Sequence, residues 1–140
     1  MNQSMVKVFD IQKDDFISAG EASSSVKKIL KQLGVSPEVI KRAVISMYEA
    51  EMNAVIHGGG GKGYAEFFKE HIEIIIEDNG PGIENIELAM QEGYSTAPGN
   101  IREMGFGAGM GLPNIKKHSD QLEIKSEVGK GTTLKITINF

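Results

Sequence analysis

Apolar and polar residues alternate over Val6-Lys7-Val8-Phe9-Asp10-Ile11, the two-residue period of a half-buried strand. Asp14 and Asp15 can then open a helix carrying Phe16, Ile17, Val26, Ile29, Leu30 and Leu33, with the serines at 23 to 25 its weakest stretch and Gly34 its end. Ser36 followed by Pro37 is an N-cap with proline at the first helical position, and it predicts a long helix from Glu38 to about His57. Val39, Ile40, Ala43, Val44, Met47, Met52 and Val55 supply its buried side. The glycines at 58 to 61 end that helix, and two strands follow, Tyr64 to Phe68 and Ile72 to Glu77. Their short connection, Lys69-Glu70, implies an antiparallel hairpin. Ile86 to Gln91 offers one or two helical turns, packing through Ile86, Leu88, Ala89 and Met90. From Glu92 to Phe106 the apolar period disappears; a loop this long inside a compact domain is a binding lid or a disordered insert, and its neighbours favour the lid. A helix from Leu112 to His118 tolerates Pro113 in its first turn. Two strands, Gln121 to Glu127 and Thr132 to Phe140, close the chain across a Val128-Gly129-Lys130-Gly131 turn.

This order predicts an α+β fold. Helices would pack on one face of a mixed, mostly antiparallel sheet as a two-layer α/β sandwich, and 140 residues fit a single domain over 1–140.

Composition alters that picture little: apolar residues are 40% and charged residues 24%, ordinary for a globular protein. The absence of cysteine removes disulfides and thiolate metal sites. No apolar run is long enough to span a bilayer and the N-terminus lacks a signal-peptide pattern, so the expectation is a cytoplasmic protein without a membrane partner. A net charge of -4 argues against sequence-independent nucleic-acid binding, which depends on phosphate neutralisation. The 17 glycines cluster at 58 to 63, 80 to 82, 105 to 111 and 129 to 131, as placed backbone features do.

Three stretches carry candidate chemistry. Asp78-Asn79-Gly80-Pro81-Gly82-Ile83 sets a carboxylate where a hydrophobic strand gives way to a turn, beside a wall without side chains. It suits an adenine, whose amine needs an acceptor and whose rings need a flat surface; the alternative is a plain Asx-capped turn. Glu49, Asn53 and His57, spaced by four, share one helical stripe at steps of roughly 40°, whereas Glu51 lies about 200° from Glu49. An amide oxygen there can ligate Mg²⁺ while the carboxylate orients a water or accepts a proton; a solvated helix face is the plainer alternative. Gly105-Phe106-Gly107-Ala108-Gly109-Met110-Gly111-Leu112 runs directly into a helix, where backbone N–H groups and the helix dipole favour a polyphosphate. It is neither a dinucleotide fingerprint, since no strand precedes it, nor a Walker A loop, since no Gly-Lys-Ser/Thr follows. A glycine-rich hinge is its alternative reading. Thr132 and Thr133 open the last strand, where a hydroxyl can meet a ligand or simply reflect β-propensity.

Taken in order, Glu49-x-x-x-Asn53, Asp78-x-Gly80-x-Gly82, Gly105-x-Gly107-x-Gly109-x-Gly111 and Gly131-Thr132 resemble the boxes of the GHKL superfamily of Bergerat-fold ATPases and kinases. The likeness runs from about Ser36 to the C-terminus. The Glu49/Asn53 form of the first box and the ending Gly109-Met110-Gly111-Leu112-Pro113-Asn114-Ile115-Lys116-Lys117 are most similar to small anti-sigma-factor serine/threonine kinases and their switch-kinase relatives.

The resemblance implies a set of roles. Glu49 would be the catalytic base and Asn53 the Mg²⁺ ligand bridging to the phosphates of ATP. Asp78 would take the adenine amine, with Gly80 and Gly82 forming the wall and Thr132 assisting through a water. Gly105, Gly107, Gly109, Gly111 and Leu112 would wrap the phosphates, with Arg102 a candidate positive charge in the lid and His57 without a defined role. The implied partner is a STAS-type anti-anti-sigma protein whose serine or threonine is phosphorylated; a sigma factor or a phosphatase are the other candidates. The exposed face of the first strand and helix is a candidate homodimer surface, as in relatives. A histidine kinase would need a dimerisation hairpin, for which the stretch before Ser36 leaves no room, and a gyrase or chaperone ATPase a transducer domain. The rival reading is a module that binds ATP and a partner without transferring phosphate.

Overall fold

The computed structural model describes residues 5–13, 15, 18–56, 59–83, 85–91 and 111–140. At its centre runs β3 (His71–Asp78), in which Ile72, Ile74 and Ile76 are buried and the alternate positions face outward. β2 (Gly60–Phe67) and β5 (Gly131–Asn139) flank it and keep its phase: Ile74 lies opposite Ala65 and Ile136, and Ile76 opposite Gly63 and Leu134. β1 (Met5–Gln12) and β4 (Gln121–Glu127) complete one sheet in the order β1-β2-β3-β5-β4. All four pairings are antiparallel, the limiting case of the mostly antiparallel sheet expected.

The inner face of the sheet is covered by α1 (Glu21–Gln32), α2 (Pro37–Ile56) and α4 (Gly111–His118), while α3 (Ile86–Ala89) is a single turn capped by Asn85, whose side chain accepts from Leu88 N at 3.0 Å. α2 crosses β1, β2, β3 and β5, burying Ile40, Ala43, Met47, Ala50, Ala54 and Val55 in a core shared with Val26 and Leu30 of α1. Each isoleucine buried completely in that core contributes about 1.5–3 kcal/mol relative to exposure. Small residues on β2 make the fit: a Cβ on Gly63 would stand 3.0 Å from Ile76 Cδ1.

The topology gathers one end of the sandwich. α2 leads into β2, whose Gly61 pairs with Asp78 at the end of β3, while Thr133 near the start of β5 pairs with Glu77. The C-terminal end of α2, the Asp78 turn and the start of β5 therefore meet.

Local boundaries depart from the sequence pattern where distant residues intervene. α1 begins at Glu21, not at Asp14 or Asp15, because Gly20 adopts a left-handed backbone (φ 96) and the Asp15 carboxylate accepts from Ser18 N at 3.1 Å in a turn. It then runs unbroken through Ser23, Ser24 and Ser25. β2 begins at Gly60, not Tyr64, since the glycines expected only to end α2 pair with β1. On β1 it is Phe9 and Ile11 that turn inward, while Met5, Val6 and Val8 are exposed on this edge strand, part of the surface expected to carry a homodimer. Among the described residues no helix is long and apolar enough to cross a membrane.

Candidate functional site

Asp78 occupies the inward phase of β3 after Ile72, Ile74 and Ile76, but at the strand's open end, where it is only half-buried. Its Oδ1 accepts from Thr132 N at 2.9 Å and from Gly80 N at 3.1 Å. Among the described residues its Oδ2 has no hydrogen-bond partner. Burial pushes the Asp78 carboxyl up from its ordinary value, and the two backbone N–H groups pull the other way.

Glycine is required around it. Gly82 (φ 81) and Gly131 (φ 117) are both left-handed, and a Cβ would run into the Glu127 carbonyl oxygen at the first and the Asp78 carbonyl oxygen at the second. The turn after β3 thus lies directly on the β4–β5 hairpin, where Gly129 N donates to Pro81 O at 2.8 Å. Ser126 ties the two together: its Oγ accepts from Ile83 N at 2.6 Å and stands 2.8 Å from Thr132 Oγ1. Sequence reasoning missed Ser126. Its signal was a hydroxyl at the position in phase with the half-buried Leu122 and Ile124 of β4.

The second group sits on α2. Glu49 and Asn53, one turn apart, are both half-buried, and the backbone of Gly111 lies against them: a Cβ there would be 3.0 Å from Asn53 Oδ1 and 3.4 Å from Glu49 Oε2. Arg42 fixes the other end of α4, donating from Nε to His118 O at 3.0 Å and pairing with Asp120 at 3.0 Å. It thereby satisfies a carbonyl that the helix end would leave open. Burial raises the Glu49 carboxyl above its ordinary value, opposed by the Asn114 side chain and by the charge of His118, both on α4. The N-terminal N–H groups of α4 open beside this pair, a favourable place for an anion. Leu112 turns its side chain into the core.

Glu51, two residues from Glu49, is buried on the far side of α2 and does structural work. Its carboxylate accepts from Gly20 N at 3.2 Å and Ser23 N at 2.9 Å, standing in for the side-chain cap that α1 lacks. His57, Arg102, Gly105, Gly107 and Gly109 lie outside the described residues. The fold thus brings Gly111 to Glu49 and Asn53, and Gly80, Gly131 and Thr132 to Asp78, while Gly82 lies against Glu127.

Residues 38–140 match the family model of the histidine kinase-, DNA gyrase B- and HSP90-like ATPases. The chain belongs to this family. A domain of this family is an ATP-binding one. The chain is 34% identical over 131 residues to the anti-sigma F factor of Clostridium kluyveri, covering 87% of this chain and 89% of the relative. It is 28% identical over 137 residues to the serine/threonine-protein kinase RsbT of Bacillus subtilis, covering 95% and 93%. The anti-sigma F factor of Clostridium perfringens is 35% identical over 121 residues, covering 82% and 83%.

Proposed function

We propose that this protein is a serine/threonine kinase that transfers the γ-phosphate of ATP to a hydroxyl on a STAS-type regulatory partner. The observation carrying the reading is the convergence of Glu49, Asn53 and the Gly111 backbone at the mouth of α4, at the end of the sandwich that carries the Asp78 carboxylate. Asp78 Oδ2 accepts the adenine amine, Gly80 and Gly82 present a backbone wall to the ring, and Thr132 assists. Asn53 would hold Mg²⁺, the first N–H groups of α4 would serve the phosphates, and Gly105, Gly107 and Gly109 are the further candidates for that role. The narrow gap above Gly111, which a Cβ would fill, suits that role. Mg²⁺, when bound, supplies charge neutralisation at the phosphates. Glu49 accepts the proton of the partner's hydroxyl, and its raised pKa brings it closer to the working range of a general base. Phosphoryl transfer asks mainly for positioning and electrostatic stabilisation, so this inventory is sufficient.

A second reading is favoured by the relatives named as anti-sigma F factors, a name without a kinase in it. In that reading ATP binding arms the surface for a sigma factor or another regulator, and no phosphate moves. Incubation with Mg-ATP and a cognate STAS protein separates the two. The kinase reading expects transfer by the wild type, lost in Glu49→Ala while ATP binding persists. Absence of transfer by the wild type to any cognate partner leaves the binding module.

A further inference from the structure

α2 and α4 run antiparallel, and contacts at both ends set their register. At one end the Gly111 backbone rests on Asn53 and Glu49, where a Cβ would stand 3.0 Å from Asn53 Oδ1 and 3.4 Å from Glu49 Oε2. At the other, Arg42 Nε donates to His118 O at 3.0 Å and the same guanidinium pairs with Asp120. Gly111, Asn114, Ile115 and His118, spaced by three and four, share one side of α4, the side on which Ile115 is fully buried. That register sets Asn114, one turn in from Gly111, beside Glu49, one turn back from Asn53. Both are half-buried, and the Asn114 side chain is hydrogen-bonded to the Glu49 carboxylate. The His118 ring ties the same residue to the last turn of the helix, with Nδ1–H donating to Asn114 O at 2.8 Å.

A general base has to present a lone pair to the incoming hydroxyl in one orientation, and a long, half-exposed glutamate side chain is not held there by its own helix. An ionised carboxylate only accepts, so the Asn114 amide nitrogen is the donor of this pair. An amide suits the task better than a lysine or an arginine. It ties one oxygen without adding a positive charge that would weaken the base. We infer that Asn114 is a positioning residue that holds the Glu49 carboxylate in the orientation that accepts the proton of the partner's hydroxyl. In the transfer that proton passes to Glu49, the hydroxyl oxygen bonds to the γ-phosphorus, and the bond from that phosphorus to its bridging oxygen breaks, leaving ADP. The helix end that would serve the phosphates and the side chain that orients the base thus belong to one element, pinned at its far end by Arg42.

The inference rests on the kinase reading, and the experiment tells the two apart. Transfer from γ-labelled Mg-ATP to the purified cognate STAS protein is followed as kcat and KM, with ATP affinity measured by calorimetry and folding by circular dichroism on the same full-chain variants. Asn114→Ala, a change that favours the helix, is expected to lower kcat about tenfold, the scale of one hydrogen bond, with KM and ATP affinity within about twofold of wild type. Asn114→Asp has the same shape but no donor when ionised, and loses at least as much, while Asn114→Gln keeps the amide and regains most of the rate. In a Glu49→Gln background Asn114→Ala leaves the residual rate unchanged, as expected of a residue that acts only through Glu49. Wild-type kcat in Asn114→Ala or Asn114→Asp would overturn the inference, as would a loss of equal size in ATP affinity or one that persists in full in the Glu49→Gln protein. If any of these occurs while Glu49→Gln by itself still cripples transfer, the kinase reading stands and only the role of Asn114 falls. If the wild type transfers nothing, or Glu49→Gln transfers as well as wild type, the base is misassigned and the role of Asn114 falls with it.

Discussion

Replacing Glu51 should cost stability without touching nucleotide binding, a result that separates it from Glu49 two positions earlier. Glu51 is 4% exposed and receives the Gly20 and Ser23 N–H groups across 31 and 28 residues of sequence. Glu51→Ala leaves both donors of the α1 N-terminus without an acceptor, at about 1–3 kcal/mol for a buried unpaired group, and removes buried methylene surface worth about 0.8 kcal/mol per group. Relief of the carboxylate's desolvation offsets part of this, so the net loss is roughly 2–4 kcal/mol. For a domain of this size that lowers the melting temperature by roughly 6–16 °C. Glu51→Gln keeps one acceptor and the shape, and should cost about 1 kcal/mol or less. The pH dependence gives an independent check. Burial raises the folded pKa of Glu51 above its unfolded value, so its contribution to stability is fully present below about pH 4.5 and declines as pH rises through the folded value. The stability of wild type relative to Glu51→Gln therefore falls with rising pH across that window. Urea denaturation followed by circular dichroism, with ATP binding measured in parallel, reads all three. A Glu51→Ala protein as stable as wild type, or one that remains folded and loses ATP binding, would refute the reasoning.

Ser46, buried in α2 with its hydroxyl unpaired among the described residues, should be replaceable by alanine with a gain of about 0.5–1 kcal/mol in urea denaturation. Gly131→Ala, forced into a left-handed backbone against the Asp78 carbonyl, should lower stability by more than about 1 kcal/mol and weaken ATP binding, both read on one preparation by denaturation and calorimetry. If Glu49 is the base, phosphotransfer declines as pH falls through a value above the usual carboxyl 4.5, because only the ionised form accepts a proton. His118→Ala, which removes a charge favouring that ionised form, should move this acid limb of the rate profile to higher pH.

The parts of the molecule legible in the sequence are those set by local periodicity. The alternation in Ile72-Glu73-Ile74 and the spacing of Ile40, Ala43 and Met47 place β3 and α2 correctly, because one buried face dictates the pattern. Asp78 was legible as a carboxylate stranded at a strand end, and Glu49 with Asn53 as a stripe distinct from Glu51. What the pattern concealed depends on residues far apart in the chain. The start of α1 is set by Glu51, 28 residues beyond Ser23, and the start of β2 by pairing of its glycines with β1. Ser126 looked like any polar residue of an exposed strand until Ile83 and Thr132 were found on either side of it.

The central claim, that Asp78 anchors the base of ATP while Glu49 serves the phosphate end, is tested most directly by calorimetric titration of Mg-ATP into wild type, Asp78→Asn and Glu49→Ala. The account predicts an affinity weakened roughly ten- to a hundredfold in Asp78→Asn, as for loss of a charged hydrogen bond, and nearly unchanged in Glu49→Ala. Wild-type affinity in a correctly folded Asp78→Asn protein would contradict it.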